Sequence, residues 1–304
     1  MIDPLSEVIT LLRPQTVFSK IISGAGRWGV RYPDFGQPSF CTVLEGRCRL
    51  AVDGQAAVTL EAGDFVLLPA TPAFTLSGFE PVNPERIDPK VAAKLTGEVR
   101  HGTRGGRPDM RMLGGYFVFG SPDAALLVSL LPAVVHVRGA DRLSVLVHLV
   151  GEESGEKRPG RDLVLTRLVE VMLIEALRST PREGAPPGLL RGLADARLAQ
   201  AMRQMHADPA RIWTVDQLAK KAALSRSAFF ERFTRAVGLP PMEYLLTWRM
   251  AIAKDLLRRQ DLALAEVAER VGYGSASTFS TAFSRYVGQP PSRYARAAAL
   301  GSRA

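Results

Sequence analysis

The stretch DLALAEVAERVGYGSASTFSTAFSRYVGQPPSRYAR, residues 261–296, repeats a pattern already laid down about fifty residues earlier. VGLPPMEY at 237–244 recurs as VGQPPSRY at 287–294, and Ser225, Phe229 and Phe233 recur as Ser275, Phe279 and Phe283. Further upstream the offset falls to 49: Val215, Leu218, Ala219 and Ala222 match Leu264, Val267, Ala268 and Val271. The one extra residue, near Gly274, falls in a turn, where an insertion costs least. A duplicated supersecondary unit explains the pattern.

Each copy reads as helix, turn, helix, at about 214–235 and 264–285. In the first, Thr214 with Gln217 three residues on forms a capping box. The helix runs to about Ala222, Ala223-Leu224 turns the chain, and Ser225 is a second N-cap. Phe229 and Phe233, four apart, face the core and leave Arg226, Ser227, Phe230, Glu231 and Thr234 outward. In the second copy Ala263 is a poor cap for a helix over 264–271, and Gly272-Tyr273-Gly274 makes the turn. Ser275 caps a helix that buries Phe279, Ala282 and Phe283 and turns Ser277, Thr278, Ser280, Thr281 and Ser284 outward. Residues 242–259 read as one connecting helix of roughly 27 Å at about 1.5 Å per residue. That would hold two groove-sized helices about one duplex turn apart, near 34 Å. The competing reading is a purely structural bundle with phenylalanine cores.

Charge points the same way. Of the net +9, residues 1–187 contribute nothing, with 21 basic and 21 acidic side chains. Residues 188–304 carry 18 basic and 9 acidic side chains, hence the whole excess. Such asymmetry fits a nucleic-acid partner, or an ordinary basic solvated face.

The remainder is a different kind of chain. Ser179 to Gly188, STPREGAPPG, reads as a linker, placing one domain at 1–184 and another at 189–304. FCTVLEG, RCRLAVDG, AAVTLEAGD and FVLLPA, with 111–119 and 134–138, are short β-prone runs broken by glycine turns, as in a small antiparallel barrel. Residues 162–178 form a broadly apolar helix that must be covered, either by its own barrel or by a second copy across a two-fold. MIDPLSEVIT lacks the features of a signal peptide and reads as a helix start, with Leu5, Val8, Ile9 and Leu12 in one stripe. No apolar run is long enough to span a membrane. Two cysteines make no disulfide scaffold, so a reduced cytoplasmic setting is expected.

Over residues 190–298 the sequence resembles the AraC/XylS family of bacterial transcriptional regulators. Residues 261–296 carry the resemblance nearly end to end, and HADPARIWTVDQLAKKAALSRSAFFERF and PPMEYLLTWRMAIAKDLL upstream fit it as well. DPLSEVITLLRP, WGVRYP, VLEG, LEAGDFVLLP and LPAVVHVRG resemble, more weakly, the cupin-type sensor of a subset of that family. The implied fold is two-domain α+β: an N-terminal cupin-like antiparallel β-barrel with flanking helices, then an all-α tandem helix-turn-helix domain. The implied partner is double-stranded DNA, with base reading by Ser227, Phe230 and Glu231 and by Ser277, Thr278, Ser280 and Thr281. Arg226, Arg235, Arg249, Lys254, Arg258 and Arg285 become candidates for phosphate contacts, which give affinity rather than specificity. Two departures stand out: relatives often carry Arg where this chain has Glu231 and Thr281. Glu accepts from a cytosine amino group rather than donating to guanine, and Thr offers one weaker contact. The alternatives are that neighbouring Arg232 and Arg285 share that task, and that Glu231 pairs with Arg235 four residues on.

Cupin enzymes hold a metal with histidines and a carboxylate. Here Cys41, Ala70 and Phe74 stand where such ligands are common, and His101, His136, His148 and His206 lack ligand spacing. No metal, no cofactor and no catalytic residue are expected. An apolar interior suits a small-molecule effector, with Cys41, Val43, Leu67 and Phe74 as pocket residues; a filled barrel serving only as dimer scaffold is the alternative. Cys41 and Cys48, seven apart around Gly46, could face each other across a hairpin, as buried structural thiols or a redox pair. The resemblance further implies a homodimer and activation through RNA polymerase, though repression fits the residues equally.

Overall fold

The computed structural model describes residues 3–94, 97–103, 105–121, 124–128, 131–155, 158–179, 187–259 and 261–301. The expected linker at 179–188 lies, from 180 to 186, outside the described residues. In chain order the elements are α1 (Pro4–Leu12), β1 (Pro14–Ala25), β2 (Gly29–Tyr32), β3 (Ser39–Val52), β4 (Val58–Glu61), β5 (Phe65–Leu68), β6 (Phe74–Ser77), β7 (Glu85–Arg86), α2 (Pro89–Lys94), β8 (Val99–Gly102), β9 (Met110–Phe119), α3 (Ala124–Val128), β10 (Val135–Val137), α4 (Asp141–Gly155) and α5 (Arg161–Arg178). Then come α6 (Leu189–Ala194), α7 (Ala196–Ala207), α8 (Val215–Lys221), α9 (Arg226–Val237), α10 (Pro241–Arg259), α11 (Leu264–Arg270), α12 (Ala276–Val287) and α13 (Pro291–Gly301).

The chain divides into two compact units, but not at the linker alone. One unit is residues 13–120 with 132–183; the other is 1–12 and 121–131 together with 184–304. Grouped by contacts, the chain thus departs from the expected division at 184. The reason lies in α1, whose stripe Leu5, Val8, Ile9 and Leu12 is buried against α7 and α10. A helix with one apolar face goes wherever that face is covered, whatever its place in sequence.

The first unit is a curled sheet with strand order β7-β2-β6-β3-β9-β1-β8; β4 adds to β3, and β5 bridges β3 and β10. Most ladders are antiparallel, as expected, but β1 pairs with β8 and β2 with β7 in parallel. The described ladders follow an open path rather than a closed barrel. β3 makes the curl possible. Its first half pairs with β9 and its second with β4 and β6, with a register shift between Val43 and Glu45. The hairpin expected around Gly46 is therefore absent: FCTVLEG and RCRLAV are one bent strand. Gly46 sits at φ 73° where β9 presses close; a Cβ there would collide with the Asp109 carbonyl oxygen. Only glycine meets both demands.

The sheet's inner face carries Val30, Leu50, Val52, Leu60, Val66, Leu68, Leu76, Met110 and Met112. α4 and α5 pack against each other and against β1. α5 buries Leu165, Val169, Met172, Leu173, Ala176 and Leu177, so its own sheet covers most of the apolar helix. Leu163, Val164 and Val171 on α5, with Val145 and Leu149 on α4, remain exposed.

The helical unit holds both sequence repeats. α8 and α9 form the first, α11 and α12 the second, and α10 joins them as one unbroken helix. Each repeat has its own aromatic core: Phe229 and Phe233 with Tyr244 in the first, and Phe279 and Phe283 with Tyr273 and Tyr294 in the second.

Candidate functional site

The two helix-turn-helix units are built alike, down to single hydrogen bonds. Thr214 Oγ1 accepts from Gln217 N–H, and Gln217 Oε1 accepts in return from Thr214 N–H, completing the capping box. In the second unit Ala263 offers no side-chain cap, yet Glu266 Oε2 accepts from Ala263 N–H at 2.8 Å, so half the box survives. Ser225 and Ser275 cap α9 and α12, accepting from Ala228 N–H and Thr278 N–H. In the turns, Leu224 N–H donates to Ala219 O and Tyr273 N–H to Ala268 O, each reaching back five residues. Both turns need one left-handed residue. The second uses Gly272 at φ 81°, whereas the first uses Ala223 at φ 51°, at a cost of about 1 kcal/mol for the Cβ.

The caps aim each second helix outward. Ser227, Phe230, Glu231, Ser277, Thr278 and Thr281 are exposed and Ser280 is half-buried, while Phe229, Phe233, Phe279 and Phe283 are fully buried. Phe230 is an aromatic ring 43% exposed to solvent. Among the described residues Glu231 has no ion-pair partner, so the pairing with Arg235 weighed above is not formed. Arg232 is not free to replace it. Its Nε lies 2.5 Å from Asp195 Oδ2, and Asp195 also caps α7 through Arg197 and Leu198 N–H. Burial alone would raise the Asp195 pKa, but the bonds from Arg232 and the two N–H groups outweigh it and hold the carboxyl below its usual range.

The expected phosphate contacts divide in two. Arg226, Arg235 and Arg285 are exposed; Arg226 reaches Asp216 only at 3.7 Å across solvent. Arg249, Lys254 and Arg258 are engaged inside the helical unit. Arg249 donates from Nε to Pro209 O at 2.7 Å and from Nη2 to Arg211 O at 2.8 Å, pinning the loop between α7 and α8. Burial pushes its pKa down. Lys254 is 9% exposed, with its ammonium over the Tyr294 ring. Arg258 pairs at 2.8 Å with Asp255, itself buried, which Arg259 also reaches at 2.7 Å. Helical periodicity had offered no way to tell which cations on α10 faced inward, since long basic side chains lay their stems along apolar surface.

In the sheet unit a cavity of about 100 Å³ opens on the inner face. Cys41 and Phe74 line it, as expected; Val43 and Leu67 do not. Val43 is packed in the same interior cluster without contributing to the lining. Alternation along β5 puts Val66 and Leu68 inward and Leu67 on the opposite face. The lining that sequence reading missed comes from β1 and β9: Phe18, Lys20 and Ile22, with Gly114, Gly115 and Tyr116. Lys20 is the one charged lining residue among those described. Its Nζ donates to Ala92 O at 3.3 Å, and no carboxylate among the described residues pairs with it. Burial, with the Asp64 carboxylate nearby, pushes the Cys41 thiol up to about 12. Burial likewise raises Tyr32 to about 12, with Cys41 adding to it. A thiol so protonated is a poor nucleophile. Among the described residues no group of three His, Cys, Asp or Glu is placed to hold a metal, and no helix is long and apolar enough to cross a membrane.

A cupin family model matches residues 3–181 and a helix-turn-helix domain model matches residues 218–297. A protein of Streptomyces lividans named as an AraC-like transcription regulator is 37% identical over 306 residues, 96% of this chain and 97% of its own. The chain belongs to the AraC family of transcriptional regulators. A second AraC-like regulator, from Streptomyces antibioticus, is 37% identical across 96% of this chain and 98% of its own. The regulator AlkR of Acinetobacter baylyi is 33% identical over 58% of each chain. This AraC-family regulator thus pairs an N-terminal cupin domain with a C-terminal helix-turn-helix DNA-binding domain. Its relatives carry the names of regulators, not of enzymes.

Proposed function

We propose that this regulator reads a bipartite operator through α9 and α12, one in each of two successive major grooves. The observation that carries the reading is the shared geometry of the two units: matching serine caps and buried phenylalanines, with the candidate base-reading side chains on the outer face of both helices. Ser227, Phe230 and Glu231 read bases in one half-site, Ser277, Thr278, Ser280 and Thr281 in the other, and Arg226, Arg235 and Arg285 contact phosphates. Glu231, exposed and unpaired, accepts from a cytosine amino group, and Phe230 packs on a thymine methyl. Selecting a binding site from random duplexes and footprinting it tests this. Glu231→Ala should cost about 1–3 kcal/mol at its preferred cytosine, roughly fivefold to a hundredfold in affinity, and relax the choice there. A uniform loss at every position would show instead that Glu231 does not touch a base.

The cavity is the effector site in this reading. Its apolar walls and the Lys20 ammonium, which has no carboxylate partner among the described residues, suit a small apolar molecule bearing one acidic group. Protection of the Cys41 thiol from N-ethylmaleimide by such a compound is the measurement; a set of acids none of which protects it would defeat the assignment. The exposed row Val145, Leu149, Leu163, Val164 and Val171 fits a second copy of the chain, giving a homodimer, and the exposed surface of the helical unit is where RNA polymerase would be met in a cytoplasmic setting.

A further inference from the structure

We propose that a joint beside α10 holds the two base-reading helices in mutual phase, with Arg249 as its positioning residue and Gly272 as its seat. The joint rests on the bipartite reading above and names what sets the operator's spacing. Its first sign is a mismatch between the two repeats. At the offset of 49, Ala223 of the first turn matches Gly272 of the second. Both are left-handed, at φ 51° and 81°. Ala223 shows that such a turn accepts a Cβ, so the turn by itself does not demand glycine. The surroundings do. Ala223 is exposed, whereas a Cβ on Gly272 would lie 2.5 Å from Ala210 O and 2.7 Å from Arg249 Nη2. The turn of the second unit is thus pressed against the loop that leads into the first.

That loop is shaped to meet it. Asp208 turns the chain: its carboxylate accepts from Arg211 N–H at 3.2 Å, and its carbonyl accepts from Trp213 Nε1–H at 2.9 Å. The next three carbonyls all serve the joint. Those of Pro209 and Arg211 accept from Arg249 Nε and Nη2, and that of Ala210 lies against Gly272. One half-buried guanidinium therefore ties α10 to the loop before α8 and backs the turn between α11 and α12. A connecting helix sets how far apart two units stand, but leaves their roll about its axis to the packing on each side. A second link off that axis fixes the roll, and the roll decides whether α9 and α12 face one side of a duplex. The planar fork of arginine bonds two carbonyls at a set angle, which the single ammonium of lysine does not reproduce.

Two measurements on the full chain test the joint, one of them without DNA. With Cys41→Ala and Cys48→Ala the chain keeps no cysteine of its own. Spin labels at Ser227→Cys and Thr281→Cys then report the separation of α9 and α12 by pulsed electron resonance. With Arg249 in place the distribution should be single and narrow. Arg249→Ala should widen it severalfold, Arg249→Lys should fall between, and Ala223→Gly, at the exposed matching turn, should leave it unchanged. The second measurement uses unlabelled protein. One base pair added or removed between the half-sites should cost the wild type about tenfold or more in affinity. Arg249→Ala should cut that penalty severalfold, yet bind a duplex with a single half-site as the wild type does. If Arg249→Ala does not fold, Gly272→Ala carries both measurements and should shift the mean separation and the preferred spacer. An unchanged distance distribution would overturn the joint. A widened distribution with an unchanged spacing penalty would overturn its positioning role, leaving α10 alone to set the phase. Equal losses on single half-sites and at every spacing would overturn that role too, leaving Arg249 a stabilising contact. A wild type indifferent to the second half-site would count against the bipartite reading, and the distances would then decide the joint by themselves.

Discussion

Phe279→Ala should strip the regulator of half its operator. The ring is fully buried between Tyr273 and Phe283, with centroids at 5.6 and 5.5 Å, in a cluster to which α10, α11, α12 and α13 all contribute. Truncating such a ring costs about 3–5 kcal/mol in lost transfer energy and cavity, comparable to the whole stability of a small domain. The first unit has its own core of Phe229, Phe233 and Tyr244, so the expected footprint shortens by about one helical turn, 10–10.5 base pairs, on one side. Phe229→Ala should erase the opposite side. Footprints lost entirely in both variants would show that the two units stand or fall together through α10.

Arg258→Ala tests the largest disagreement between sequence and structure. A phosphate-contacting arginine would, on removal, weaken every duplex alike and flatten the salt dependence. The pair seen here predicts a loss of stability instead. Arg258 and Asp255 are almost wholly withdrawn from solvent, and breaking such a pair leaves a buried carboxylate undercompensated, at about 3–5 kcal/mol. Arg259 still reaches Asp255 at 2.7 Å, so the lower end of that range is expected. Denaturant unfolding should show a lowered midpoint with an unchanged slope. Wild-type stability with uniformly weaker DNA binding would restore the phosphate role.

Much of the helical unit was legible because its signals are local. Caps, the four-residue phenylalanine spacing and the turn residues lie within a few positions of the structure they specify, and duplication displayed each signal twice. Exposure along α9 and α12 followed directly. The cations of α10 were not legible, because only the tertiary partners of Arg249, Lys254 and Arg258 reveal which way each one faces. The sheet unit was legible as strands but not as topology. Gly46 looks like a turn residue in sequence; that β3 runs straight through it depends on Asp109, 63 positions away. Parity along β5 was likewise undecidable until Val66 and Leu68 were seen packed inside. The docking of α1 lay furthest out of reach. Its apolar stripe announced that something would cover it, but the partner, His206, is 199 positions distant.

The unbroken course of α10 carries a consequence for how this chain can change length. Each residue of a helix advances it by about 1.5 Å and rotates it by about 100°. One codon gained or lost between Tyr244 and Arg258 would swing α12 a quarter-turn or more out of phase with α9, and no single duplex could then satisfy both. Insertions and deletions should therefore be purged from α10 among natural variants, where the tally of residues matters as much as their identity.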